Sequence, residues 1–124
     1  MRLLLDTHVL LWSLSGARMT AAARDAVVDP SNDVMVSVAS IWEIGIKMAR
    51  GRLTLPPNWF DQLELMTFDV LAISATHALA APALPLHHSD PFDRMLVAQA
   101  TVEDLTLVTR DAQLSDYDVR TLKA

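Results

Sequence analysis

Short, wholly apolar segments alternate along the chain with stretches in which apolar residues recur every three or four positions. Residues 3–5, 34–36 and 105–108 have the first pattern, and residues 68–73 form a weaker strand candidate. Continuous apolar runs of this length are typical of strands buried on both faces of a parallel sheet. Residues 117–122 have the pattern of a final edge strand.

The helical segments lie between these strands, and most begin at a residue that favours a helix N-terminus. The spacing predicts helices over residues 8–14, 21–28, 38–50, 59–66 and 91–102, with a short alanine-rich helix after Ser74. Their predicted N-caps include Thr20, Ser37, Asn58, Ser74 and Asp90. Pro82, Pro85 and the pair His87–His88 are expected in a loop. Alternating strands and helices predict an α/β fold with a mainly parallel central sheet flanked by helices.

One apolar stripe is predicted to form the buried face of the helix over residues 38–50. It consists of Val38, Ile41, Trp42, Ile46 and Ala49, with Gly45 completing the face.

Length and composition restrict the class of protein. A chain of 124 residues corresponds to one domain, so we expect residues 1–124 to form a single unit. There is no cysteine, which excludes disulfides and disfavours a thiolate zinc site, and fits a cytoplasmic location. No apolar run approaches the roughly 20 residues of a membrane span, and no cleavage-site pattern indicates a signal peptide.

The net charge of −5 is unusual for a nucleic-acid-binding protein. Net charge describes solubility and steering, however, and not the chemistry of one cleft. Some of the acidic excess would be neutralised if several carboxylates held a divalent cation.

Four acidic residues are placed where an α/β fold forms its sites, outside the carboxyl ends of the parallel strands. Asp6 directly follows the first strand, and Asp111 follows the strand over residues 105–108 after two residues. Asp93 lies in the first turn of the helix over residues 91–102, and Glu43 lies on the helix after the second strand. We therefore expect these four side chains to converge at one edge of the sheet.

A hard divalent cation would relieve the repulsion among such carboxylates, because like charges at close range raise each other's pKa. Mg²⁺ prefers oxygen ligands and suits phosphoryl chemistry. The pattern therefore predicts metal-assisted hydrolysis of a phosphodiester, with one or two metal ions polarising the phosphate and activating a water.

The remaining polar and aromatic residues have simpler interpretations. Asp90 is interpreted as a helix cap, a metal role for His87–His88 is disfavoured, and Trp12, Trp42 and Trp59 are assigned to the core or an interface. The basic residues near the acids are placed either to hold a nucleic-acid backbone or to form surface ion pairs. They are Lys47, Arg50, Arg52, Arg94 and Arg110, of which Lys47 has the i,i+4 spacing for an ion pair with Glu43.

Four segments in this order resemble the PIN-domain ribonucleases, and more narrowly the VapC-type toxins of bacterial toxin–antitoxin pairs. The segments are residues 2–8 (RLLLDTH), 40–44 (SIWEI), 90–100 (DPFDRMLVAQA) and 107–111 (LVTRD). The resemblance covers almost the whole chain and implies a PIN-like three-layer fold.

The resemblance also implies a function and a set of site residues. The acidic quartet of the family falls on Asp6, Glu43, Asp93 and Asp111, which would hold Mg²⁺ or Mn²⁺ and support endonucleolytic cleavage of RNA, with Thr109 in support. A homodimer and a cognate VapB-type antitoxin are further implications, with operator DNA reached only through the antitoxin and no membrane partner.

Three other classes of protein also place acids near strand ends or share this fold. One is a catalytically silent PIN-like module that binds RNA or a partner, and the intact quartet argues against it. A phospho-signalling receiver domain needs a phospho-accepting Asp after a central strand and a Lys after a later one, but Ser37 and Thr109–Arg110 stand there. A phosphatase of the haloacid dehalogenase type needs an acid two residues after its first Asp, where this chain has His8.

Overall fold

Five strands and six α-helices make up the chain in the computed structural model, which describes residues 1–16 and 18–124. The strands are β1 (Arg2–Leu5), β2 (Asp33–Ser37), β3 (Asp69–Leu71), β4 (Thr106–Thr109) and β5 (Thr121–Lys123). The helices are α1 (Thr7–Ser15), α2 (Ala21–Val28), α3 (Val38–Ala49), α4 (Trp59–Leu65), α5 (Ala75–Ala83) and α6 (Pro91–Val102). A 3₁₀ helix, Ala112–Asp116, lies between β4 and β5.

The strands form one sheet in the order β3-β2-β1-β4-β5, and every pair of neighbours is parallel. The α/β architecture expected from the sequence is therefore confirmed. The central strand β1 is buried from Leu3 to Leu5, as its uninterrupted apolar run requires. Because β1 lies between β2 and β4, the residues that follow these three strands meet at one edge of the sheet.

Most of the predicted helix starts are correct. The side chains of Thr20, Ser37, Ser74 and Asp90 each accept a main-chain N–H in the first turn of their helix. Asn58 occupies the N-cap position of α4, but its side chain makes no capping hydrogen bond.

Two boundaries differ from the predictions. Pro82 lies inside α5 and not in the following loop. Because Pro82 has no main-chain N–H, it removes a hydrogen bond from the last turn, and the helix ends one residue later at Ala83. The last strand is confined to Thr121–Lys123, since Tyr117 ends the 3₁₀ helix instead of opening the strand.

The predicted buried face of α3 is wrong. The buried residues of this helix are Ala39, Ser40, Glu43 and Ile44, whereas Trp42 is 62% exposed and Gly45 is exposed. The polar Ser40 and Glu43 face inward because they hydrogen-bond to Thr7, the first residue of α1. Polar residues therefore occupy the buried face that the hydrophobic pattern had assigned to apolar ones.

The described helices contain none that is both long and apolar enough to span a membrane.

Candidate metal centre

Asp6 stands at the carboxyl end of the central strand and is almost completely buried. Its Oδ1 accepts the main-chain N–H of His8 at 2.7 Å, so Asp6 is also the N-cap of α1. Its Oδ2 accepts a 2.6 Å hydrogen bond from the hydroxyl of Thr109. These two bonds fix the direction of the carboxylate at the edge of the sheet.

Thr109, the last residue of β4, links Asp6 to Asp111. Its Oγ1 donates to Asp6 and accepts the main-chain N–H of Asp111 at 3.0 Å. Oδ1 of Asp111 in turn accepts the N–H of Gln113 and caps the 3₁₀ helix, while Oδ2 lies 3.0 Å from the His88 ring. Asp111 thus has one oxygen for the local turn and one directed towards the neighbouring acids.

Glu43 reaches the same edge from α3. Its Oε1 accepts a 2.7 Å hydrogen bond from Thr7, whose hydroxyl also lies 2.9 Å from that of Ser40. Its Oε2 forms a 2.8 Å ion pair with Lys47, one turn further along the helix, as the spacing predicted. Both carboxylate oxygens of this buried residue are therefore engaged, and one of them is neutralised by a cation.

Asp93 occupies the third position of α6, next to the helix N-terminus capped by Asp90. Burial, followed by the charges of Asp90, Asp6 and Glu43, raises the pKa of Asp93 to about 7, against a lowering effect of His88. A carboxyl with this pKa holds a proton for part of the time at neutral pH. The crowding that the sequence predicted is therefore present around Asp93.

His88 joins two of the acids, although the sequence analysis disfavoured a metal-site role for it. Its Nε2 lies 3.0 Å from Oδ2 of Asp111 and 3.3 Å from Oδ2 of Asp93. One ligand atom of each of these three residues lies within 4.8 Å of the others. Asp6 and Glu43 are outside that group of three and connect to the edge through the Thr109 and Thr7 hydroxyls.

His88 stands two residues before the Asp90 cap, which is the one signal in the sequence that places it near the site. The sequence does not indicate the direction of its ring. Its neighbour His87 is exposed and lies edge-on against Tyr117, with ring centroids 4.9 Å apart. The two adjacent rings therefore lie in different surroundings, and only the structure distinguishes them.

Two of the basic residues near the acids are engaged within the protein and are not placed to hold a nucleic-acid backbone. Arg94 is buried, and its six hydrogen bonds go to the hydroxyl of Tyr117 and to main-chain carbonyls. Arg110 donates to the carbonyls of Ala124 and Arg18 and lies over the ring of Trp12. The Arg94 guanidinium therefore supports the loop before α6, and Arg110 ties down the carboxyl end of the chain.

The donor set fits a hard divalent cation. Four carboxylates come from β1, α3, α6 and the turn after β4, and oxygen is the ligand that Mg²⁺ and Mn²⁺ prefer. Burial is the main cause of the raised pKa of Asp93, and the negative charges of Asp90, Asp6 and Glu43 add to it. A divalent cation would offset these negative charges, and metal coordination requires the deprotonated carboxylate.

Known proteins resemble this chain along almost its whole length. A family model described as the PIN domain matches residues 3–120. The chain is 30% identical over 118 residues to the protein named Ribonuclease VapC22 from Mycobacterium tuberculosis, an alignment that covers 92% of this chain and 90% of that protein.

Solved structures have the same fold. VapBC2 from Rickettsia felis, bound to a DNA fragment from its promoter, matches with a TM-score of 0.76 at 14% identity, over 99% of this chain and 98% of that chain. A toxin–antitoxin complex from Klebsiella pneumoniae matches with a TM-score of 0.61 at 25% identity, over 87% and 85% of the two chains. The first likeness, at its low identity, concerns the fold alone. From the family match and the 30% identical relative, we conclude that this chain belongs to the PIN domain family and is similar to a VapC-type member of it.

Proposed function

We propose that this chain is a Mg²⁺- or Mn²⁺-dependent endoribonuclease that acts as the toxin of a VapBC-type toxin–antitoxin pair. Residues 1–124 form its single PIN domain, and Asp6, Glu43, Asp93 and Asp111 are its metal-binding and catalytic residues. The observation that carries the proposal is the convergence of carboxylates from four separate elements on one edge of the sheet. Thr109 and His88 connect Asp6, Asp111 and Asp93. Independent helix caps and surface acids have no reason to be connected in this way.

The side chains divide the work at this edge. Asp93 and Asp111 present their Oδ2 atoms to the same space and are the most direct candidates to hold a cation. Asp6 adds a carboxylate whose direction is fixed by the hydroxyl of Thr109. Glu43 adds a carboxylate that is already paired with Lys47. When bound, a divalent cation would polarise a phosphate oxygen and lower the pKa of a coordinated water.

Protons and orientation are set by the residues around the acids. Thr109 and Thr7 donate to Asp6 and Glu43 and so keep these carboxylates facing the edge. Asp93, with its pKa of about 7, must lose its proton before it can bind a cation. Lys47, with its ammonium partly exposed beside Glu43, is available to a phosphate of the substrate.

The relatives support the biological part of the proposal. The 30% identical protein is named a ribonuclease. Of the similar solved structures, one is a toxin–antitoxin complex, and another is VapBC2 bound to a DNA fragment from its promoter. By analogy, a VapB-type antitoxin would bind this chain, and operator DNA would be contacted through the antitoxin. The acidic site repels any phosphodiester unless a cation is bound, and the name of the 30% identical relative supports RNA as the substrate.

A homodimer and a cytoplasmic location complete the proposal. Trp42 on α3 and Leu79 on α5 are 62% and 78% exposed, and large apolar side chains in such positions favour burial against another chain. Sedimentation as a dimer at micromolar concentration would support this, and sedimentation as a monomer would contradict it.

The test of the nuclease uses a mixed pool of structured RNAs with the purified chain in Mg²⁺, in Mn²⁺ and in EDTA. Asp93→Asn is the site variant, and Asp25→Asn, an exposed acid on α2, is the matched control. We expect cleavage by the wild type and by Asp25→Asn in either metal, and none in EDTA or with Asp93→Asn. Equal cleavage by Asp93→Asn would contradict the assignment of the site. Absence of cleavage by the wild type together with retained RNA binding would favour a silent binding module.

A further inference from the structure

The ring of His88 is held in one orientation by contacts on both sides. Its main-chain N–H donates to the hydroxyl of Tyr117 at 3.0 Å, and its carbonyl accepts a 3.3 Å hydrogen bond from Arg94. Its Nδ1 accepts the main-chain N–H of Asp90 at 3.0 Å, and its Nε2 faces Asp93 and Asp111. Since both the backbone and the ring are fixed, the direction of each ring nitrogen is determined.

These contacts decide which ring nitrogen carries the proton. A main-chain N–H can only donate, so Nδ1 must present a lone pair to Asp90. A neutral imidazole then carries its hydrogen on Nε2. Nε2 therefore donates to Oδ2 of Asp111, while Oδ2 of Asp93 lies 3.3 Å from the same nitrogen.

The same contacts disfavour His88 as a metal ligand. Coordination through Nε2 would require a bare lone pair on that atom and would move the ring proton to Nδ1. The proton on Nδ1 would then point at the N–H of Asp90, which would leave two donors facing each other at 3.0 Å. The geometric group of His88, Asp93 and Asp111 thus contains two oxygen ligands and one hydrogen-bond donor.

We propose that His88 is a positioning residue that holds the carboxylates of Asp93 and Asp111 together through its Nε2–H and does not itself coordinate the metal ion. This role rests on the proposed metal site. Asp93 is carried by α6 and Asp111 by the turn after β4, so the two elements need a connection at the point where a cation would bind. Hydrogen bonds to a ligand from outside the coordination sphere commonly orient it in this way.

The loop before α6 is built to present this ring. Arg94 donates to the carbonyls of Ala81, Pro82, Leu84 and Pro85, which ties the end of α5 and the loop to one buried guanidinium. The Tyr117 hydroxyl accepts from both Arg94 and the His88 main chain. His88 is therefore supported by the protein core even though its ring lies at the site.

Long-range ¹H–¹⁵N correlation spectra of the histidine side chains test the inference without any assay of activity. The metal-free protein should show His88 as the Nε2–H tautomer, and saturating Mg²⁺ should leave that pattern in place. A switch to the Nδ1–H tautomer on adding Mg²⁺ would show coordination through Nε2 and overturn the proposal. An Nδ1–H tautomer before Mg²⁺ is added would overturn it as well.

Calorimetric titration with Mg²⁺ tests whether the donor matters. His88→Leu removes it, His88→Gln places an amide N–H near the position of Nε2, and His87→Gln changes the exposed neighbour as a control. We expect about a tenfold loss of Mg²⁺ affinity in His88→Leu, recovery to within about threefold in His88→Gln, and no change in His87→Gln. Wild-type affinity in His88→Leu would overturn the positioning role.

The two proposals fail in different ways. If the wild-type chain binds Mg²⁺ but cleaves no RNA, the nuclease is wrong and the role of His88 stands. If the wild-type chain binds no Mg²⁺, both the metal site and the positioning role are wrong.

Discussion

Thr109 donates a 2.6 Å hydrogen bond from its hydroxyl to Oδ2 of Asp6 and so joins the carboxyl ends of the neighbouring strands β4 and β1. Both residues are buried, and the bond holds one oxygen of Asp6 in a fixed direction. The family resemblance implied that Thr109 supports the acids, and in the structure its hydroxyl donates to one of them.

Thr109→Val, which keeps the shape of the side chain and removes its hydroxyl, should weaken both stability and metal binding. Oδ2 of Asp6 would lose its buried donor, which costs about 1–3 kcal/mol of unfolding free energy. We expect about a tenfold loss of Mg²⁺ affinity. Thr109→Ser, which retains the hydroxyl, should stay within about 1 kcal/mol of the wild type in urea unfolding, and equal losses in Val and Ser would contradict the role of the hydrogen bond.

Asp93→Asn should stabilise the metal-free protein at pH 8 and leave its stability unchanged at pH 4. Because folding raises the pKa of Asp93 from 3.8 to about 7, the folded state holds a proton that the unfolded state releases between these pH values. The free energy of unfolding therefore falls as the pH rises through this window and is constant above it. After a discount for the partial exposure of Asp93, we expect about 1–2 kcal/mol, or about 4–8 °C in Tm, at pH 8.

Thermal unfolding in EDTA at pH 4, 6 and 8 measures this difference. Asp25→Asn, on the exposed surface of α2, should follow the wild type at every pH. A wild type that is as stable as Asp93→Asn at pH 8 would contradict the raised pKa of Asp93.

Arg94→Met should destabilise the fold more than any exposed arginine substitution. The change removes the buried guanidinium that donates to five main-chain carbonyls and to the Tyr117 hydroxyl. Of these acceptors, the Ala81 carbonyl and the Tyr117 hydroxyl each keep one other donor. We expect a loss of about 3–5 kcal/mol. The control is Arg120→Met, which removes an exposed ion pair with Asp104 and should cost less than about 1 kcal/mol in the same urea titration.

Local signals in the sequence predicted much of the fold. Thr20, Ser37 and Asp90 mark helix starts because their side chains satisfy a main-chain N–H within their own turn, which depends only on neighbouring residues. The buried strands were recognisable for a similar reason, since burial on both faces leaves no polar position. The convergence of the acids followed from their placement after parallel strands and on the helices beside them.

Interactions between distant segments could not be predicted in this way. The buried face of α3 was assigned to Trp42 instead of Glu43, because periodicity counts an acid as polar and cannot know that Thr7 donates to it. Arg94 was expected either to hold a nucleic-acid backbone or to form a surface ion pair, because the sequence does not show that a loop folds around it and supplies carbonyl partners. The orientation of His88 depends on Asp90 and Tyr117 together, which no spacing rule describes.

The most direct test of the metal centre is calorimetric titration of Mn²⁺ into metal-free protein at pH 8, where Asp93 is ionised. The wild type and Asp25→Asn should bind with the same affinity and a saturable isotherm. Asp93→Asn should lose at least about tenfold in affinity, because it removes one of the two carboxylates that face the same space. Equal affinity in all three proteins would contradict the account, since the cation would then bind away from Asp93.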